Sequence, residues 1–231
     1  MIVAIDGPVG VGKSTVARAV AEQMGFLHID TGAMYRALAL RCLEEDLDPD
    51  DPQAMGEMAA FTQVRLEPSP RGPKVHLNSH DVTEAIRSPE VTALVSKVSA
   101  HPGLREIVVH RQRLMAEHGS VVMEGRDIGT VVFPRADVKI YLDASLDARV
   151  RRRAGDYEAR GTPWSFEEIR QSVLARDDYD KNREVSPLRV ADDALVVDTT
   201  ELSFEEVVAR IVKIIRDKIR EKRSAEKKRK G

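Results

Sequence analysis

Cysteine and aromatic residues are scarce in this sequence of 231 residues. The single cysteine, Cys42, excludes an intramolecular disulfide and cannot form a zinc site alone. It lies in an apolar helical stretch, which favours a packed thiol. Aromatic residues make up only 4% of the chain, so the core must rest on aliphatic packing. A protein that binds single-stranded nucleic acid needs aromatic stacking surfaces, so this scarcity argues against that class.

An excess of charge of one sign is also missing. The 36 basic and 38 acidic residues give a net charge of -2, so no global positive field indicates DNA or RNA as a partner. No apolar run approaches the length of a membrane-spanning helix. The segment from Met1 leads straight into a strand-like run, without the basic and apolar regions of a signal peptide. We therefore expect a cytoplasmic protein with no membrane or nucleic-acid partner.

Short β-branched runs alternate with helical patterns along the chain, which is typical of an α/β protein with a parallel sheet covered by helices. A first helix is predicted over Lys13–Met24, ended by Gly25. Capping boxes predict the starts of two later helices, at residues 165–168 and 203–206. The sequence predicts a parallel sheet of five core strands, at residues 2–6, 26–29, 120–123, 138–142 and 194–198.

Three segments interrupt this alternation. Residues 62–66 and 74–77 are short strand-like pieces around a turn-rich stretch, which predicts a small antiparallel insert. Residues 149–163 are rich in arginine and glycine, have little to bury, and predict a mobile lid. Residues 221–231 are nearly all charged or small, so we expect a frayed or disordered tail. One domain over residues 1–231 is expected, with a core of residues 1–61, 89–148 and 186–220, an insert over about 62–88, a lid over about 149–185 and a tail of 221–231.

The strongest motif lies between the first strand and the first helix. Residues 7–14 match G-x-x-x-x-G-K-[ST], the P-loop pattern, in which glycines let backbone N–H groups wrap closely around phosphates. Lys13 adds a mobile positive charge, and the Ser14 hydroxyl can bind Mg²⁺. An ordinary glycine-rich turn is the alternative, and both flanking elements disfavour it. The motif predicts a P-loop NTPase fold with Mg²⁺ as cofactor and a nucleotide site made of Gly7, Pro8, Val9, Gly10, Val11, Gly12, Lys13, Ser14 and Thr15.

Nucleotide binding leaves two classes open, a phosphotransferase with a small acceptor and a nucleotide-driven switch or motor. A switch GTPase normally carries an N-K-x-D motif that reads the base, and this sequence has none. A motor ATPase usually needs a longer chain. A small-molecule kinase needs a second set of anion-binding groups, and arginines that follow predicted strands are placed where open α/β sheets bind ligands. The candidates are Arg36, Arg105, Arg126, Arg149, Arg151, Arg152, Arg153, Arg176 and Arg183.

Four further strings follow the P-loop in a fixed order. They are D-T-G-A-M-Y-R at residues 30–36, E-G-R-D-I-G-T-V-V-F-P at 124–134, R-D-D-Y-D-K-N-R at 176–183 and S-P-L at 186–188. With these strings and their spacing, the sequence resembles the bacterial cytidylate kinases, a family of nucleoside monophosphate kinases, over nearly its whole length. The predicted antiparallel insert is similar to the enlarged monophosphate-binding region of that family.

The resemblance implies a role for each matching residue of the acceptor site. Ser96, Arg105 and Asp127 would read the cytosine, because a carboxylate accepts a hydrogen bond from the exocyclic amine of cytosine but meets a carbonyl in uracil. Arg176 and Asp180 would hold the sugar hydroxyl, although helical ion pairing alone could explain their spacing. The residues that would hold the acceptor nucleotide, mainly its phosphate, are Thr31, Tyr35, Arg36, Arg126 and Arg183.

The expected reaction transfers the γ-phosphoryl group of ATP to CMP or dCMP. A phosphate monoester has a second pKa of about 6, so the acceptor oxygen is already largely deprotonated and needs no dedicated general base. The lid arginines implied by the resemblance, best matched by Arg149 and Arg153, would close over the donor phosphates. Catalysis should then come from charge neutralisation and positioning. The expected catalytic groups are Lys13, Arg126, Arg149, Arg153 and Arg183, together with Mg²⁺.

Two alternatives remain at this point. One is a related P-loop kinase that acts on uridylate, adenylate or a metabolite such as shikimate. The other is a nucleotide-dependent regulatory protein that does not turn over. We expect a monomer, because no spare apolar helix face stands out. The basic residues of the tail favour solubility over binding to nucleic acid or acidic membranes, since such short runs are common.

Overall fold

The strands that the structure describes form two sheets. The computed structural model describes residues 1–69, 72–117, 119–159, 161 and 164–230. The strands are β1 (Ile2–Asp6), β2 (Leu27–Asp30), β3 (Val64–Glu67), β4 (Lys74–Leu77), β5 (His80–Asp81), β6 (Val121–Gly125), β7 (Val138–Asp143) and β8 (Leu195–Asp198). Five of them form a parallel sheet in the order β2-β6-β1-β7-β8, and the other three form a separate sheet, β3-β4-β5. The prediction of five parallel strands is confirmed.

The helices connect the strands and cover the parallel sheet. They are α1 (Lys13–Met24), α2 (Thr31–Glu44), α3 (Pro52–Phe61), α4 (Pro89–Val98), α5 (Pro102–Met115), α6 (Leu146–Glu158), α7 (Phe166–Asn182) and α8 (Phe204–Lys230), with a 3₁₀ turn at Ala85–Arg87 and a π-helix at Ile128–Val132. The predicted bounds of α1 are confirmed, and Gly25 ends the helix in the left-handed conformation at φ 66°. Both predicted capping boxes are present, at the starts of α7 and α8.

β1 lies at the centre of the parallel sheet, between β6 and β7. Val3, Ala4 and Ile5 have no exposed surface, because a strand in a parallel sheet is covered on both faces. Apolar residues of α1 and α8 pack against one face of the sheet, and α5 packs against the other. In such a sheet ligands bind outside the carboxyl ends of the strands. The segments that follow β1, β2 and β6 are therefore brought to one edge.

The predicted insert is an antiparallel sheet that packs against α2. The alternating burial of β4 points Val75 and Leu77 inward, where they contact Ala33 and Ala37 of α2. The small alanine side chains let the sheet approach the helix closely. The predicted start of the first strand, residue 62, is wrong by two residues because Thr62 caps α3 by donating its N–H to a carbonyl of that helix.

The predicted lid contains most of α6 and all of α7, and its arginine- and glycine-rich part, residues 149–163, begins inside α6. The expectation that it has little to bury is wrong, since Val150 is fully buried and packs with Val9, Ile169 and Val173 in a small apolar cluster. Through this cluster the helix contacts the P-loop on one side and α7 on the other. Residues 160, 162 and 163 of the predicted lid lie outside the described residues. Its mobility stays a prediction.

The C-terminal tail is helical, so the prediction of a frayed or disordered segment is wrong. α8 continues as one helix of 27 residues to Lys230, and Gly231 lies outside the described residues. The tail consists mainly of Glu, Lys, Arg and Ala, which are strong helix formers. It extends a helix that buried Ile211 already anchors, so no new nucleation is needed. Lys222 also forms an ion pair with Asp137, beside the start of β7. Among the described residues, no helix combines the length and apolar character needed to cross a membrane.

Candidate active site

A cavity of about 320 Å³ opens at the carboxyl ends of β1, β2 and β6. The P-loop and the start of α1 form one side, and α2, α4 and α7 form much of the rest. The predicted site residues that line it are Val9, Gly10, Gly12, Lys13, Ser14, Thr15, Thr31, Tyr35, Arg36, Arg105, Arg126, Asp127, Arg153, Arg176, Asp180 and Arg183. Those that lie outside its wall are Gly7, Pro8, Val11, Ser96 and Arg149.

The P-loop is packed tightly against the neighbouring strand. Gly7 has φ 152°, and a Cβ atom there would lie 2.2 Å from the carbonyl oxygen of Leu142, so any side chain would displace β7. The ammonium group of Lys13 folds back and donates a hydrogen bond to the carbonyl oxygen of Pro8 at 2.6 Å. Burial and the nearby Arg126 guanidinium lower the pKa of Lys13. The loop therefore holds a crowded positive charge that a phosphate chain would neutralise.

A hydroxyl and a carboxylate meet at the start of α1, directly after the P-loop. The Ser14 hydroxyl donates a hydrogen bond to Glu124 Oε2 at 2.9 Å, and His28 Nε2 lies 3.3 Å from Glu124 Oε1. Burial raises the pKa of Glu124. Among the described residues, no group of three or more histidine, cysteine or acidic side chains could cage a metal ion. One or two protein oxygens beside substrate phosphates are nevertheless the usual Mg²⁺ site, so Ser14 and Glu124 fit that ion.

Three guanidinium groups converge on the cavity without a carboxylate partner among the described residues. They belong to Arg36, Arg153 and Arg176. Arg36 donates to the Thr92 hydroxyl at 2.9 Å, and the Nε of Arg176 is buried without a hydrogen-bond partner in the described structure. Burial, followed by neighbouring arginines, lowers the pKa of Arg36 to about 10 and that of Arg176 to about 9. Such concentrated positive charge is typical of a site that binds an anion.

Arg126 and Asp180 form an ion pair on the same wall. Arg126 Nε donates to Asp180 Oδ2 at 2.7 Å. Although burial alone would raise the pKa of Asp180, the Arg126 and Arg176 guanidinium groups lower it. Asp180 lies on α7 one turn after Arg176, whereas Arg183 lies just past the end of that helix. The pair holds the Arg126 side chain on the wall of the cavity.

A buried ion pair closes the far end of the cavity. Arg105 of α5 donates to Asp127 Oδ2 and, with its other terminal nitrogen, to the Ser99 carbonyl oxygen at 2.9 Å. Its guanidinium lies 5.2 Å from the centre of the Tyr35 ring. Arg183 approaches the other oxygen of Asp127 at 3.8 Å. A flat ring that enters here would meet guanidinium donors and a carboxylate acceptor close together.

Ser96 and Arg149 are the two residues outside the wall whose predicted roles require a side chain that reaches the substrates. Ser96 is half-buried on α4, while Ser99 one turn later lines the cavity. Arg149 is buried in an ion pair with Asp177, and it donates to the carbonyl oxygen of Val9 at 3.1 Å. It thus supports the P-loop from behind, whereas a lid arginine would have to face the cavity.

Arg153 is the lid arginine that does face the cavity. It donates to the Tyr157 hydroxyl at 2.8 Å, and its guanidinium lies 4.9 Å from the centre of that ring. The Tyr157 ring in turn stacks on Trp164 at 5.0 Å between ring centres and 2° between planes. These aromatic contacts restrict where Arg153 can point.

The different surroundings of Arg149 and Arg153 predict different effects of substitution. We expect Arg149→Ala to lower the free energy of unfolding by about 3–5 kcal/mol, because Asp177 would remain buried and unpaired. Arg153→Ala should leave stability nearly unchanged but slow phosphoryl transfer far more than it weakens binding of the acceptor. Urea unfolding and single-turnover kinetics measure the two effects.

Arg151→Ala is the matched control, since Arg151 is exposed on the same helix. Equal losses of transfer rate and acceptor binding in Arg153→Ala would contradict a lid role for Arg153. An Arg149→Ala variant as stable as the wild type would contradict the supporting role of Arg149.

Sequence reasoning assigned no role to Glu124 and His28. The sequence does contain a signal for Glu124, because it is an acidic residue at the end of a predicted core strand and the first residue of the string at 124–134. His28 had none, because its contact with Glu124 depends on the pairing of β2 with β6. The sequence separates these two residues by 96 positions.

A P-loop on the central strand, faced across one cavity by guanidinium groups that have no carboxylate partner in the described part of the chain, defines a P-loop phosphotransferase. The sequence model of the cytidylate kinase family matches residues 3–217. A cytidylate kinase of Geobacillus sp. (strain WCH70) is 49% identical over 94% of this chain and 97% of its own length. One from Carboxydothermus hydrogenoformans is 49% identical over 93% and 97%. The chain therefore belongs to the cytidylate kinase family and is a nucleoside monophosphate kinase, which confirms the resemblance seen in the sequence.

A solved structure of shikimate kinase from Bacteroides thetaiotaomicron covers 94% of this chain and 98% of its own. The two share 14% sequence identity with a TM-score of 0.48. A similarity this distant does not indicate which acceptor the present protein uses.

Proposed function

We propose that this protein transfers the γ-phosphoryl group of ATP to CMP or dCMP, giving ADP and CDP or dCDP. The observation that carries the proposal is the two-ended cavity, with the P-loop at one end and the Arg105–Asp127 pair at the other. The unpaired guanidinium groups lie on the same cavity. Family membership supports the same acceptor, since the curated relatives are cytidylate kinases.

The donor would lie with its phosphates along the P-loop. Backbone N–H groups and the N-terminal end of α1 supply fixed positive dipole ends there. Lys13 would release the Pro8 carbonyl and turn to the β- and γ-phosphates, where the low dielectric of the site strengthens the interaction. Ser14 and Glu124 would hold Mg²⁺, which would supply positive charge to offset the negative charge of the donor phosphates.

The acceptor would lie between α2, α4 and α7. The Asp127 carboxylate would accept a hydrogen bond from the exocyclic amine of cytosine, and Arg105 would donate to the ring nitrogen and carbonyl oxygen. Uracil presents a carbonyl to Asp127, so one buried acceptor would face another, which costs several kcal/mol. Arg176 and Asp180 are placed to hold the sugar hydroxyl. Arg36, Arg126 and Arg183 are placed to bind the phosphate.

Positioning and charge neutralisation would account for the catalysis. The acceptor phosphate has a second pKa of about 6, so it carries the attacking oxygen without help from a base. The main obstacle is the approach of two polyanions, and Lys13, Arg126 and Arg153 would offset their repulsion. Closure of α6 over the donor would exclude water, which would otherwise hydrolyse ATP. We further propose that the enzyme acts as a monomer in the cytoplasm, where its nucleotide substrates are found.

A single assay tests the proposed reaction. The protein is incubated with ATP, Mg²⁺ and CMP, dCMP, UMP, AMP or shikimate, and ADP formation is followed. We expect CMP and dCMP to give kcat/KM at least about 100-fold above UMP, and EDTA to abolish turnover because Mg²⁺ is needed to align the phosphates. A preference for another acceptor would overturn the substrate assignment. ATP binding without ADP formation for any acceptor would indicate a regulatory protein instead.

A further inference from the structure

The π-helix at Ile128–Val132 begins directly after Asp127, the residue assigned to the base. Aspartate at such a position usually accepts a hydrogen bond from the second or third N–H group of its own helix. Asp127 makes no such side-chain bond. It is instead buried and paired with Arg105. Some other group must therefore satisfy the first N–H groups of the helix.

That group is Asp6, the last residue of β1. Its Oδ1 accepts the N–H of Ile128 at 2.9 Å, and its Oδ2 accepts the N–H of Gly129 at 2.7 Å. Asp6 is buried and does not line the cavity, so it has no place for direct contact with substrate. Burial raises the pKa of Asp6 to about 6, with Asp127 adding to the effect. The two backbone N–H groups and Lys13 act in the opposite direction.

Packing around the turn leaves this arrangement little freedom. A Cβ atom at Gly125 would lie 2.7 Å from Ile128 Cδ1 and 2.8 Å from Thr31 Oγ1. A Cβ atom at Gly129 would lie 3.3 Å from Asp6 Oδ2. The backbone of the turn thus fits closely against β1 and α2, and its position depends on the carboxylate that ties it to the sheet.

We propose that Asp6 is a positioning residue for acceptor specificity, because it caps the helix in place of the Asp127 carboxylate, which can then face Arg105 and the base. This inference rests on the proposed function, in which Asp127 distinguishes cytosine from uracil. Asp6 also directly precedes Gly7 of the P-loop. One buried carboxylate therefore joins the donor loop to the turn that recognises the acceptor.

The test is the isosteric substitution Asp6→Asn. One amide oxygen can still accept a hydrogen bond, but the NH₂ group would oppose a backbone N–H. Asp127 would then turn toward its own helix. We expect the ratio of kcat/KM for CMP to that for UMP to fall about tenfold or more, with the KM for ATP changed less than about twofold. Asp137→Asn is the matched control, since Asp137 also accepts a backbone N–H, that of Ile2 at the other end of β1, at 2.7 Å. It should leave the ratio unchanged.

A double-mutant cycle separates this inference from the proposed function. In the Asp127→Ala background, Asp6→Asn should lower the ratio no further, because its effect passes through Asp127. If Asp6→Asn keeps the wild-type ratio while Asp127→Ala loses it, only the role of Asp6 is overturned. The same holds if Asp6→Asn lowers the ratio equally in the wild-type and Asp127→Ala backgrounds. An unchanged ratio in Asp127→Ala would overturn both assignments. If Asp6→Asn does not fold, Asp6→Thr takes its place, because the threonine hydroxyl retains one hydrogen-bond acceptor. The same results would then support or overturn the inference.

Discussion

Replacement of Lys13 by alanine should lower kcat by about 10³-fold or more while the protein stays folded. Lys13 is the flexible positive charge in the P-loop, and charge stabilisation is the largest contribution that a phosphotransferase can make. Burial and the Arg126 guanidinium lower the pKa of Lys13 in the folded protein. The positive charge of Lys13 therefore lowers the stability of the folded state. We therefore expect a melting temperature equal to or above that of the wild type.

Steady-state kinetics with saturating ATP and CMP, together with thermal denaturation, check this expectation. Lys213→Ala is the control, because Lys213 is exposed on α8, which packs against the sheet rather than forming the cavity. Turnover near that of the wild type in Lys13→Ala would remove the P-loop from the mechanism. A large loss of melting temperature would mean that Lys13 supports the fold.

Replacement of Asp127 by alanine should lower the preference for CMP over UMP by about 10²- to 10³-fold. The loss should come mainly from slower reaction of CMP, since the variant can no longer accept the hydrogen bond of the cytosine amine. Arg105 would remain buried without its partner, which lowers stability. The ratio of the two kcat/KM values cancels any loss of folded enzyme, and is therefore the quantity to measure.

Two further variants sharpen the result. Asp127→Asn keeps the shape and can turn either its amide oxygen to cytosine or its NH₂ group to uracil, so its ratio should approach one. Asp178→Ala, an exposed aspartate on α7, should behave as the wild type. A wild-type ratio in both Asp127 variants would show that the base is read elsewhere.

The sequence allowed the parts of the fold that depend on local patterns to be predicted. Apolar runs and a glycine-rich turn between them place β1, the P-loop and α1 to within a residue or two. Gly25 could be assigned as the end of α1 because the left-handed conformation there favours glycine. The antiparallel insert followed from short strand-like pieces around a turn.

The parts that were missed depend on contacts between distant residues. Arg149 and Arg153 are one helical turn apart in the same basic run, yet Arg149 is buried because Asp177 of α7 lies behind the P-loop. Composition alone suggested a disordered tail, although α8 carries its helical structure outward from a buried half. The capping of the Asp127 turn by Asp6 spans 122 positions, and no local signal marks it.

The stack beside Arg153 has a practical consequence for following the enzyme in solution. Trp164 is the single tryptophan of the chain, and its ring lies on Tyr157, whose hydroxyl accepts a hydrogen bond from Arg153. Intrinsic fluorescence excited at the indole therefore arises from one known place, which is connected to Arg153 through Tyr157. A stopped-flow trace of that emission would time the approach of Arg153 to bound nucleotide without any attached dye.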